Sequence, residues 1–143
     1  MKDLFAYFHP ALQVFAIVVA MATLRLGLAL KKDRSGGRRL HNRLTIYQRH
    51  TLLGFTFVGV LVGGYGLGLL SMPFFRGRPP FRSPHFFFAT IALLLFLGGA
   101  YTGWRLRHGT LKYADVRDIH GFLVYLGLFI TFAVAVMGFI LLP

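Results

Sequence analysis

Residues 51–75 read TLLGFTFVGVLVGGYGLGLLSMPFF, a stretch with no Asp, Glu, Lys, Arg or His. A helix rises about 1.5 Å per residue, so a run of this length crosses the roughly 30 Å hydrocarbon core of a bilayer. Lipid offers the backbone no hydrogen bonds, and a helix satisfies its own. The run therefore predicts a transmembrane helix over about 45–72. Similar runs predict helices over about 4–30, 84–104 and 118–142. Pro84 suits the first turn of the third, where its missing N–H has no intrahelical role. The first run follows Met1-Lys2-Asp3, a barely basic flank, and is longer than the core of a signal peptide, so it too reads as a membrane helix.

Composition agrees. The chain has 143 residues, 56% hydrophobic and 14% charged, with a mean hydropathy of +0.64. Soluble domains carry about 25% charge. The sequence thus predicts one transmembrane domain over 1–143, without a sizeable extramembrane domain. The net charge of +12 lies in loops and at helix ends, where it sets topology and meets anionic headgroups; it does not indicate nucleic acid. The absence of cysteine excludes disulfides, iron–sulfur clusters and thiolate metal sites.

Charge also orients the chain. Lys31, Lys32, Arg34, Arg38, Arg39, Arg43, Arg49, Arg105, Arg107, Lys112 and Arg117 fall on one side, and Lys2, Arg76, Arg78 and Arg82 on the other. The richer side is expected to be cytoplasmic. The expected fold is all-α: an antiparallel four-helix transmembrane bundle, up-down-up-down, with both termini outside. Gly59/Gly63, Gly64/Gly68 and Gly99/Gly103 form GxxxG patterns, which permit close approach of a helix or a flat cofactor. No internal repeat or low-complexity tract stands out.

Four of the six histidines open the apolar runs, one per helix: His9, His50, His85 and His120. In an up-down-up-down bundle, His9 and His85 come to one membrane end on diagonal helices, and His50 and His120 to the other. Facing helices present axial ligands to opposite sides of a flat ring, so the pattern predicts two stacked haems, one per leaflet. Gly54, Ala89, Gly121 and Gly127 lie close in helical register and leave room for a porphyrin face. An interfacial histidine can also snorkel or cap a helix, and this plainer reading stands beside ligation for each residue taken singly. His41 and His108 sit among arginines and read as loop histidines, replacement ligands, propionate contacts or a wall of a quinone pocket. Arg49, Arg105 and Arg25 are candidates to pair with haem propionates, since Arg binds carboxylates bidentately. Snorkelling or plain topogenic charge is the alternative for each.

One histidine per helix resembles the four-helix core of the cytochrome b561 superfamily. The local strings that carry the resemblance are His9-Pro10, Arg49-His50-Thr51-Leu52-Leu53-Gly54, Ser83-Pro84-His85 and His120-Gly121. The resemblance implies two haem b groups, held by His9 with His85 and by His50 with His120, and transmembrane electron transfer. It points to a prokaryotic relative in the inner (plasma) membrane, serving quinol or a partner redox protein. Longer signatures linked to ascorbate are absent from the sequence. Three other readings stay open: a membrane anchor, with or without haem, for a larger redox complex; a small His-based metal or proton transporter; and a purely structural membrane subunit. The charge-poor core disfavours the transporter. Whether the chain is itself an oxidoreductase is left undecided by the residues.

Overall fold

The computed structural model describes residues 2–37, 39–76, 83–109 and 113–140. They form four helices: α1 (Lys2–Arg34), α2 (Arg43–Arg76), α3 (Pro84–His108) and α4 (Tyr113–Ile140). All four are long and apolar enough to cross a membrane. No strand occurs among the described residues. Arg38, Arg78, Arg82, Lys112 and the expected end of the fourth helix near 142 lie outside them.

The helices overrun the apolar stretches, and the reason is physical. Hydropathy marks where a chain enters lipid, whereas a helix continues into the headgroup region as long as its ends are compatible. Lys31, Lys32 and Arg34 stay in the last turn of α1, where cations complement the negative end of the helix dipole. Asp115 lies in the first turn of α4, where an anion is favourable, and α4 begins at Tyr113 rather than near 118. On α3 the Ser83 Oγ accepts from the Phe86 N–H at 3.2 Å, with Pro84 next in line. The helix closes on Gly109, whose φ of 72° is the left-handed conformation that glycine adopts without penalty.

Helix α1 packs along α2 and α3 along α4, with a smaller contact between α2 and α3. Along the first pair His9 lies against Gly68 and Gln13 against Gly64. Thr23 lies against Gly54 and Gly27 against His50. Along the second, His85 lies against Gly138, Phe96 against Gly127 and Val124 against Gly99. His120 lies against Gly103. Residue numbers rise on one helix as they fall on its neighbour.

The buried centre consists of Ala16, Val19, Ala20, Phe57, Leu61 and Phe96. The Phe57 and Phe96 rings meet edge to face, centroids 4.7 Å apart, an arrangement the ring quadrupoles favour. The alanines of α1 and Gly127 of α4 are small enough to admit these rings. Large apolar side chains such as Phe74, Phe129, Phe132 and Phe139 point outward. Such a surface would be costly in water and is compatible with contact to a lipid bilayer.

Candidate functional site

The two histidine pairs, α1 with α3 and α2 with α4, are the chemically distinctive feature of the described residues. His9 and His85 face each other with ring centroids 6.3 Å apart and planes at 85°. His50 and His120 do so at 6.3 Å and 80°. Two pairs at opposite ends of four helices thus share one geometry.

Each ring is held the same way. Its Nδ1 donates to a backbone carbonyl of the adjacent helix: His9 to Gly64 at 2.8 Å, His50 to Thr23 at 3.0 Å, His85 to Val134 at 3.1 Å and His120 to Gly99 at 2.9 Å. A carbonyl oxygen only accepts, so Nδ1 carries the proton. In the neutral imidazole the lone pair is then on Nε2, the arrangement usual for a metal-binding histidine oriented by a backbone carbonyl. Thr102 Oγ1 lies 3.2 Å from the same Nδ1 of His120.

One turn beyond each accepting carbonyl stands a glycine, on which the ring rests. A β-carbon at Gly27 would lie 3.0 Å from His50 Cε1, and one at Gly68 2.9 Å from His9 Cε1. At Gly103 the distance to His120 Cε1 would be 3.3 Å, and at Gly138 that to His85 Cε1 would be 3.1 Å. These glycines are required by close approach, not by backbone conformation. In every helix the histidine and the glycine that seats a histidine of its neighbour are eighteen residues apart: His9 and Gly27, His50 and Gly68, His85 and Gly103, His120 and Gly138. The chain therefore does contain a repeat, His-x17-Gly, whose meaning lies between helices. The patterns Gly64/Gly68 and Gly99/Gly103 are two of the four seats.

A metal–imidazole bond is about 2.0 Å long and a ring nitrogen lies about 1.1 Å from its ring centroid, so two imidazoles on opposite sides of one metal would have centroids about 6.2 Å apart. Both pairs, at 6.3 Å, have centroid separations close to that spacing. Among the described residues no group of three or more His, Cys, Asp or Glu is placed to hold a metal ion. A metal bound by either pair would take its remaining ligands from another molecule.

A cavity of about 1380 Å³ surrounds His50 and His120, with Gly27, Gly54, Gly99, Gly103 and Gly121 in its walls. Gly121 has nothing within 4 Å of where a β-carbon would sit; Gly127 instead lies 3.0 Å by that measure from the Phe96 ring. Arg25, Arg49 and Arg105 do not line this cavity. The cations that do are Lys31, Arg34, Arg43 and Arg117. Arg105 instead donates from Nη1 to Tyr101 Oη at 2.8 Å and lies over the Tyr101 ring. Helical periodicity explains the difference. Arg49 adjoins His50, and Arg25 and Arg105 are two residues from Gly27 and Gly103, so all three point well away from the cavity stripe.

His41 and His108 join neither pair. His41 is exposed in the turn before α2. His108 donates from Nδ1 to the Trp104 carbonyl at 3.0 Å, one turn back on its own helix. No protein-family model, no curated protein and no solved structure matches the chain.

Proposed function

We propose that the chain is a di-haem membrane cytochrome that passes electrons from one face of a membrane to the other. The observation that carries the reading is the identical 6.3 Å opposition of His9 with His85 and His50 with His120. Four Nδ1–H donors engaged with backbone carbonyls support it, because they leave the metal-binding lone pair on Nε2. Two imidazoles, with no third ligand group beside them among the described residues, would suit a metal whose other ligands come from a macrocycle.

In this reading each b-type haem supplies reversible one-electron chemistry. The protein fixes the ring orientations through the carbonyl and glycine seats and keeps the two sites apart. Each histidine lies fourteen residues from the carbonyl on its own helix that serves the opposite site, so the sites are separated by about 21 Å along the axis. The buried Phe57 and Phe96 fill the space between those levels and exclude water. The bundle is antiparallel and up-down-up-down, with the basic connections cytoplasmic and both termini outside, in a bacterial inner membrane. The electron donor or acceptor is a quinol or a partner redox protein.

The test is a reduced-minus-oxidised visible spectrum of the purified chain with haem quantified per polypeptide. Two b-type haems per chain are expected. A colourless protein, expressed with haem in plentiful supply, would sink the proposal.

A further inference from the structure

We propose that Arg34 and Arg117 form a carboxylate-binding mouth for the larger cavity and take the propionates of the haem held between His50 and His120, an assignment that rests on the bis-histidine reading above.

The placement follows from helix registers. Arg117 is three residues before His120 and shares its face of α4. Arg34 is seven residues, two turns, beyond Gly27, the seat of His50. Both line the cavity, and they reach it from different helix pairs. Arg34 feels the positive charges of Arg117 and Arg43 and the negative charge of Asp33. Asp33 is already engaged: Oδ2 meets Arg43 Nε at 3.4 Å, and Oδ1 accepts from the Leu40 N–H at 2.8 Å.

The charge balance makes the mouth an anion site. The lining cations are Lys31, Arg34, Arg43 and Arg117, and the lining anions Asp33 and Asp118. Four against two leaves a surplus of two positive charges where the cavity meets the helix ends. Haem b carries two carboxylates on one edge of its ring, so its propionates match that surplus in number and sign. Guanidinium groups take carboxylates bidentately, with geometric selectivity that Lys lacks. Arg117 is half-buried and Arg34 exposed, so pairing is screened less at Arg117 than at Arg34. The same cations could instead meet the phosphate of an anionic lipid headgroup, and the experiment separates the two sources.

The double variant Arg34→Gln/Arg117→Gln is purified with its haems and titrated optically against potential. Removing positive charge stabilises oxidised iron, so one of the two midpoint potentials falls and the other stays. Transfer of one haem to apomyoglobin becomes faster by about tenfold, as expected for loss of charge-assisted hydrogen bonds. The pair Arg39→Gln/Arg107→Gln, exposed at the same end, leaves both potentials in place. The unaltered chain loaded with haem dimethyl ester, which lacks free carboxylates, loses one haem at the faster rate, and this arm is independent of any effect of substitution on folding. Unchanged potentials in the double variant, or equal retention of the ester and the free acid, would overturn the assignment. So would a potential shift that persists with the ester and vanishes when phosphatidylglycerol vesicles are replaced by phosphatidylcholine, which assigns the cations to lipid. A colourless unaltered chain overturns the bis-histidine reading itself, and the propionate assignment with it.

Discussion

Gly68→Ala is the smallest perturbation that separates a built histidine seat from ordinary helix packing. The added β-carbon would sit 2.9 Å from Cε1 and 3.0 Å from Nδ1 of His9. Carbon atoms rest at about 3.5–4.0 Å, so the ring has to retreat by roughly 0.6 Å. Metal–ligand distances tolerate only about ±0.2 Å, and the retreat also stretches the 2.8 Å bond from Nδ1 to the Gly64 carbonyl. Loss of such an orienting contact costs about 10–100-fold in affinity, or roughly 1.4–2.7 kcal/mol. Gly66→Ala is the control: it lies on the same helix, and nothing is within 4 Å of its added β-carbon. Haem per chain, measured after purification at limiting haem, is expected to drop from two toward one in Gly68→Ala and to stay at two in Gly66→Ala. Equal occupancy in the two variants, or equal loss, would refute the seat.

Other substitutions probe the remaining parts. His85→Ala and His120→Ala should each remove one haem, read as halved absorbance per chain. Phe96→Ala empties a ring that is 3% exposed, which should destabilise the bundle by about 3–5 kcal/mol in reversible detergent unfolding. Ser83→Ala removes the cap on the Phe86 N–H and should cost about 1 kcal/mol in the same assay, without changing haem content. Alkaline phosphatase fused after Pro143 should be active if the C-terminus is periplasmic, and inactive if the basic connections face outward.

The four long apolar helices and the pairing of the histidines were legible in the sequence because both follow from one-dimensional patterns. Apolar runs of membrane length announce helices, and one histidine near the start of each helix, in an alternating bundle, places His9 with His85 and His50 with His120. The seats were not legible. Gly27 and Gly138 belong to no GxxxG pattern, and each seat acts on a ring of the neighbouring helix, so its partner is remote in sequence. The cations that line the cavity were not legible either, for a different reason. Arg49 and Arg105 drew attention by closeness along the chain to a histidine or a helix end. The cavity selects by angle around the helix, which favours Arg117, three residues from His120, over Arg49, one residue from His50. The α4 start at Tyr113 was hidden because polar residues extend a helix past the lipid boundary.

The division into α1 with α2 and α3 with α4 bears on how such a molecule is assembled. Every histidine is seated by its own hairpin, yet every opposed pair takes one ring from each hairpin. Neither half can therefore clasp a ligand alone, while each half arrives with its imidazoles already aimed. Between helices immersed in lipid there would be no hydrophobic gain to draw the halves together, and the largest backbone contact between them, α2 against α3, is smaller than that within either half. On the di-haem proposal, a group gripped from both sides would work as a rivet: its uptake would be the closing step of assembly, and its loss would loosen the molecule along a single seam.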